Sequence, residues 1–273
     1  MSNPSKNKLN IFAEAITNRK LIWKLAKNDF KKRYAGSYLG IVWGMIQPLV
    51  TVALYYVVFG LIFPNQRSSG TDVPFVLFLT SGLVPWFFFN EALNSGTNGL
   101  IDYNYLVKKV VFNISILPII RVVAALFTHT FFICILLVLS SVYGYYPSFY
   151  TIQILYYSLC TFALVLALVY ATSAVCVFFK DLTQIITIML QILMWGTPIM
   201  WDIASFKNET LKMVLKINPL VYIVNGYRDA VYGKTWFWEH GWYNLYFWGI
   251  TIVLMLIGTA IFKRLRVHFA DVL

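Results

Sequence analysis

The residues able to do acid–base, nucleophilic or metal chemistry are few and scattered. His129, His240 and His268 are far apart, and Cys134, Cys160 and Cys176 form no CxxC pair. No zinc site or disulfide framework is therefore expected. His129 stands alone in an apolar run and reads as a core histidine, and the cysteines read as small core hydrophobes. Gly233, Lys234 and Thr235 imitate the end of a phosphate-binding GxxxxGK[ST] loop. The position that must hold its first glycine is Arg228, so this chain does not bind ATP that way. No two carboxylates share an apolar run, which leaves no acid and base pair for hydrolysis or glycosyl transfer. Glu91 and Arg121 alone approach apolar depth, near run ends from which they can snorkel; a proton-coupled carrier would need more buried ionisable groups. The chain is expected to be no enzyme, with no metal and no cofactor of its own.

What survives is polar but uncharged. Trp43, Gln47, Thr51 and Tyr55 step by four along one apolar run, and Gln184, Thr187, Gln191, Trp195 and Pro198 share a helical face in another. Such stripes hydrogen-bond helices together within a bilayer. They also suit a path for a molecule with many hydroxyls and no fixed charge pattern, since aromatic faces and amides match sugar rings. Spacing alone leaves both readings open.

These stripes need elements to hold them, and composition names the solvent. Of 273 residues 59% are hydrophobic, 18% aromatic and only 12% charged, too few charges to cover a soluble domain that would carry about 25%. Asp, Glu, Lys and Arg are absent from residues 34–66, 122–179, 182–201 and 240–262. About 20 apolar residues cross the roughly 30 Å hydrocarbon layer as a helix. Six spans are predicted, over residues 37–63, 73–95, 118–143, 149–179, 182–201 and 242–262. The runs are continuous rather than alternating, so helices are expected and a barrel is not. The fold class is an all-α polytopic membrane protein.

The net charge of +11 then reports topology rather than nucleic-acid binding. An even number of spans puts both termini on one side. That side receives 16 of the 22 Lys and Arg residues and should be cytoplasmic. The first run is too long and too far from Met1 for a removable signal. With no internal repeat, the expected organisation is a tail over residues 1–36 and one membrane domain over 37–273. Within the latter lie a cytoplasmic loop, 96–117, and an external segment, 202–241.

Three pieces lie outside the spans. Residues 18–34 read as an amphipathic helix with Lys20, Lys24, Lys27 and Lys31 on one face and Ile22, Leu25, Ala26 and Phe30 roughly opposite. It either lies at lipid headgroups or also docks a cytoplasmic partner. The loop 96–117 is apolar for an exposed segment, with Leu100, Ile101, Tyr105, Leu106, Lys108, Lys109, Val110 and Phe112. It reads as an interfacial helix or one inserted into a partner. The external segment holds two short apolar pieces divided by Pro219, neither able to cross. They are re-entrant helices or a surface cap. Lys207, Lys212, Lys216, Arg228 and Lys234 are its external cations, either simply hydrated or attracting an anionic headgroup or polymer.

Four stretches in order resemble the permease subunits of ABC exporters for cell-surface polysaccharides, the O-antigen, capsule and wall teichoic acid type. They are DFKKRYAGSYLGIVWGMIQPL (29–49), SGLVPWFFFNEALNSGTNGLIDYNYLVKKVVFNISILP (81–118), TPIMW (197–201) and INPLVYIVNGYRDAVYGK (217–234). One departure is Asn113, where the family often has proline after the Phe that follows the basic pair. The resemblance implies a six-span half-transporter of the bacterial cytoplasmic membrane that pairs with a second copy and recruits two ATPase subunits, which use ATP and Mg. It implies roles as well. Lys20, Trp23, Lys24, Lys27, Phe30, Lys31 and Arg33 would belong to an interface helix. Leu100, Ile101, Tyr105, Leu106, Lys108, Lys109 and Phe112 would belong to a coupling helix on the ATPase. Pro219, Tyr222, Asn225, Tyr227 and Arg228 would form an external gate. The substrate path would use Trp43, Gln47, Tyr55, Phe59, Trp86, Phe87, Gln191 and Trp195. The expected cargo is an undecaprenyl-linked polymer, a wall teichoic acid or O-antigen-like polysaccharide. Competing readings are an ABC permease for a small drug or lipid, and a stand-alone channel or secondary carrier.

Overall fold

In lipid an apolar run must satisfy its backbone groups internally. In the computed structural model every regular element among the described residues, 11–33, 38, 40–62, 73–107 and 113–272, is helical. The helices are α1 (Ile11–Thr17), α2 (Arg19–Arg33), α3 (Trp43–Tyr55), α4 (Phe75–Thr97), α5 (Gly99–Asp102), α6 (Asn104–Val107), α7 (Leu117–Val142), α8 (Gln153–Cys176), α9 (Leu182–Gly196), α10 (Glu209–Lys216), α11 (Pro219–Arg228), α12 (Trp242–Leu265) and α13 (Phe269–Val272).

Four helical stretches, Phe75–Thr97, Ile114–Val142, Phe149–Cys176 and Trp242–His268, are long and apolar enough to cross a membrane. Two apolar helices are shorter, Trp43–Phe59 and Leu182–Gly196. The predicted run 182–201 thus stops being helical at Gly196, and Thr197 to Trp201 form a turn instead. Fifteen helical residues rise only about 22 Å. α3 carries Pro48 and winds on as a π-helical segment, Tyr56–Ile62. Asn113 compensates for the absent proline by accepting a hydrogen bond from the Ser115 amide (3.2 Å), which starts the turn leading into α7.

α4 is the centre of the bundle. Of its most apolar window 78% is buried, against 22% for α12, which turns Ile252, Val253, Leu256 and Ile257 outward. α7, α8 and α11 surround α4, and α12 packs along α8. That last contact is a backbone approach: a Cβ added at Gly258 would stand 2.4 Å from the Ala167 carbonyl oxygen. Small residues let membrane helices meet in this way. Gly258→Leu should therefore force α8 and α12 apart, costing about 1–3 kcal/mol of overpacking. The measurement is the thermal midpoint of the purified chain, which should fall, while Gly249→Leu on the open side of the same helix should leave it unchanged.

α11 and the π-helical segment Asp229–Gly233 are short, as expected; α11 packs on α4 and α8, and the π-helical segment on the turn Phe149–Ile152. Pro219 opens α11, and the Asn218 side chain caps its Leu220 amide (3.0 Å). A Cβ at Gly226 would fall 2.0 Å from the Tyr157 ring, so only glycine admits that ring. α10 is a separate amphipathic turn. Lys212 donates to Glu209 (2.7 Å), and that bond and charge hold the exposed Glu209 carboxyl below its usual range.

Candidate functional site

Between α3 and α4 lies a cleft of about 690 Å³. α3 supplies Trp43, Gly44, Gln47, Pro48, Thr51 and Tyr55; α4 supplies Trp86, Phe87, Asn90 and Glu91; Thr128 of α7, Met194 of α9 and Arg33 of α2 complete it. The helical spacing seen in the sequence explains the α3 wall, because residues four apart share a face. Its chemistry is four aromatic faces, on Trp43, Tyr55, Trp86 and Phe87, with amides and hydroxyls between them. One ion pair, Arg33 to Glu91, closes an end.

Five of the eight expected path residues, Trp43, Gln47, Tyr55, Trp86 and Phe87, meet here. Phe59 does not line the cleft; its ring lies 6.3 Å from that of Tyr55, one turn further on. Gln191 and Trp195 are exposed on the outer side of α9 and also lie outside it. The polar stripe of α9 divides. Thr187, with Thr183, turns inward to Asn94 and Asn98 of α4 (3.5 and 2.8 Å), so this part is the packing glue.

Below the cleft a charged network joins four elements. The Asp29 carboxylate receives Tyr103 Oη (2.5 Å), Arg121 Nη1 (3.1 Å) and Arg33 Nη2 (3.3 Å). Arg33 also reaches Glu91 on α4, and Arg121 reaches Asp102 on α5 (2.6 Å) while its guanidinium lies over the Tyr103 ring (4.8 Å). Glu91 and Arg121 are thus paired inside the chain rather than snorkelling, because α2 brings a partner for each. Burial, and then the hydrogen bond to Asp29, pushes the Tyr103 hydroxyl far above the ordinary phenol range, so it stays a donor. Asp29, Asp102 and Tyr103 were not singled out by sequence. A signal existed: Ile22, Ala26 and Asp29 lie at i, i+4 and i+7, which places an acid on the apolar face of α2.

The rest of α2 is as expected. Lys20, Lys24, Lys27 and Lys31 are exposed, while Ile22 and Ala26 are buried and Trp23 and Phe30 rest on Phe127 of α7 (5.1 and 5.4 Å). The expected coupling helix, 100–112, is instead two single turns, α5 and α6, through residue 107. Leu100 is buried in the chain's own core, so it anchors the loop and offers nothing to a partner. Ile101 and Leu106 are half-buried and Tyr105 is exposed. Lys108, Lys109 and Phe112 lie outside the described residues.

Towards the other end of α4 the expected gate residues divide. Asn225 and Arg228 share a wall with Phe78, about 20 Å along the helix from Glu91. Tyr227 sits deeper, against His129, whose ring stacks on that of Phe88 (4.5 Å). Tyr222 stacks on Phe247 (4.9 Å), and Tyr227 hydrogen-bonds His129 (3.0 Å) and Ser158 (2.6 Å), which makes His129 the core histidine it was read as. Arg228 is not the hydrated cation expected. It is buried, its guanidinium 3.6 Å from the Phe78 ring centre, with Nη2 donating to the Ile199 carbonyl (3.0 Å). The last residue of α11 turns inward because Gly82 leaves room for the Ile199 turn and the Arg228 head. Cys134 is exposed on the outer side of α7 rather than core, while Cys160 and Cys176 are buried. No group of His, Cys, Asp and Glu among the described residues could hold a metal ion.

Long apolar helices around an aromatic and polar cleft, closed at one end by an ion pair, define a multi-pass membrane protein. Residues 20–232 match the family model described as ABC-2 type transporter, and the chain belongs to that family. Similar proteins include the O-antigen export system permease protein RfbA of Myxococcus xanthus, 26% identical over 268 residues (96% of this chain, 99% of the relative). A second, with the same name, from Klebsiella pneumoniae, is 27% identical over 256 residues (93% and 95%). The polysialic acid transport protein KpsM of Escherichia coli is 23% identical over 241 residues (86% and 89%).

Proposed function

We propose that this chain is the membrane half of an ATP-driven exporter in the bacterial cytoplasmic membrane, carrying a lipid-linked, hydroxyl-rich surface polymer outward. The observation that carries the reading is the cleft: aromatic faces interleaved with Gln47, Thr51 and Asn90 suit successive sugar rings. The names of the relatives, O-antigen and polysialic acid systems, favour a polysaccharide over a drug. An undecaprenyl-linked O-antigen-like chain or a wall teichoic acid fits the same walls.

In this reading α3 and α9 are the first and fifth members of a six-span set with both termini cytoplasmic, locally thinning the bilayer to offset their short length. Their outer faces are apolar and open, with Leu49, Val50, Leu54, Ile188 and Ile192 exposed. A second copy laid against these faces closes the cleft into a path. Two ATPase subunits, holding ATP and Mg, bind the cytoplasmic side at α5, α6 and the residues that follow, including Lys108 and Lys109. When they close, α5 moves, and Asp102 and Tyr103 pass the displacement through Arg121 and Asp29 to α2 and through Arg33 to Glu91 at the cleft. α11 and its π-helical segment form the external gate.

The test is surface-polymer staining of cells lacking the chain, then complemented. Loss and restoration of a surface polysaccharide supports the reading; unchanged polymer, with drug or lipid efflux changed instead, overturns it. Lys108→Glu with Lys109→Glu should lower co-purification of the ATPase several-fold while membrane insertion stays intact; equal recovery would remove that docking assignment.

A further inference from the structure

We propose that a second, separate pocket at the external end of α4 binds a single neutral sugar residue, holding the polymer as it leaves; this rests on the reading of the chain as a polysaccharide permease. The pocket is about 280 Å³ and is lined by Phe78, Asp202, Asn225, Arg228, Asp229, Tyr232 and His240. At about 30 Å³ per water it has room for one ring with a few waters and not for a chain.

The unusual group is Arg228. It is 6% exposed, and two of its nitrogens are used: Nη2 on the Ile199 carbonyl (3.0 Å) and Nη1 on Asn225 Oδ1 (3.4 Å). Its Nε is buried with no hydrogen-bond partner among the described residues. Shut off from the pocket space, that Nε offers nothing to a ligand; the polar groups on the pocket wall are the Asn225 amide, the carboxylates of Asp202 and Asp229 and the His240 ring.

The charges around it choose the ligand. Asp202 and Asp229 share the wall with Arg228, and Asp229 pairs with His240 Nε2 (2.9 Å). An anion would face two carboxylates for one guanidinium. A cation would face the guanidinium directly. A sugar hydroxyl avoids both conflicts because it donates and accepts at once: it can donate to Asp202 or Asp229 and accept from the Asn225 amide. Tyr232 adds a ring against which the apolar face of a pyranose can lie. The site is tied to the moving parts. Arg228 ends α11 and Asp229 opens the π-helical segment after it, Ile199 and Asp202 follow α9, and His240 precedes α12, so an occupied pocket joins these elements at the exit.

The experiment is saturation-transfer NMR on the full chain in lipid nanodiscs, with methyl α-glucopyranoside, methyl α-mannopyranoside and N-acetylglucosamine as probes and inorganic phosphate as competitor. Transfer to at least one pyranoside is expected. It should drop several-fold in Asp229→Asn and in Asn225→Ala, and should persist in Leu256→Ala, on the outward face of α12. No transfer to any probe, transfer equal in both pocket variants and wild type, or displacement by millimolar phosphate overturns the proposal. Asp202→Asn is the companion variant should Asp229→Asn fail to fold, with gel-filtration elution as the fold check. Surface polymer in complemented cells separates the two claims. If wild type restores polymer but no pocket-dependent transfer is seen, the pocket alone fails; if wild type restores none, the exporter reading fails whatever the NMR gives.

Discussion

Asp29→Ala should abolish export and loosen α2 from the bundle. Asp29 is 6% exposed and is the one group that touches Arg33, Tyr103 and Arg121 together. Removing it leaves Arg121 with only Asp102 and leaves the Tyr103 hydroxyl without the acceptor that burial requires. Breaking a buried ion pair from one side costs about 3–5 kcal/mol, because the abandoned charge stays buried. The expected result is loss of surface polymer and faster proteolysis after residue 33. Asp29→Asn, which keeps an acceptor for Tyr103 but removes the charge, should be intermediate. Lys24→Ala, on the exposed face, should leave both readouts unchanged. A double-mutant cycle between Asp29 and Tyr103 should show a coupling of about 0.5–3 kcal/mol in unfolding, as residues of one network do. Additive effects would mean that α2 and the α5 turn are not mechanically joined.

The second large effect belongs to the cleft. Trp43→Ala and Tyr55→Ala each remove an aromatic wall while leaving α3 helical, and neither side chain is buried in the core. Export should fall about tenfold for each, the rate change matching roughly 1.4 kcal/mol of lost binding along the path. Recovery of the complex with its ATPase should change much less. The converse change, Thr51→Trp, fills the space and should block export outright. If recovery falls before export does, these residues are packing glue, as Thr187 of the α9 stripe is, together with its neighbour Thr183.

What could be read in the sequence was what depends on period and on charge-free length. The α3 stripe was legible because Trp43, Gln47, Thr51 and Tyr55 recur every four residues, and four stripe positions on one helix need no tertiary information. The same reasoning misplaced Gln191 and Trp195. Periodicity fixes which residues of α9 share a face, but not which face meets α4, and Leu190 alone is buried on that helix. Arg228 was misread for a related reason. An arginine between two polar stretches ordinarily sits in water, and only the juxtaposition of Phe78, Gly82 and Ile199, from two other parts of the chain, gives it a buried seat. Asp29 was hidden by its company, one acid among many lysines and arginines, although its position on the apolar face of α2 was visible in principle. The shorter α9 follows from Gly196 and Pro198, which end a helix that hydropathy alone extends to Trp201.

The central claim is that a polysaccharide passes along the α3 and α4 cleft. It is tested most directly by a photo-crosslinking residue at position 55, in a complex stalled by an ATPase subunit that binds but does not hydrolyse ATP. The account predicts a glycan-stained adduct at position 55 and none at position 256, on the outward side of α12. A glycan adduct at 256 equal to that at 55, or none at 55 while polymer is still exported, would contradict it.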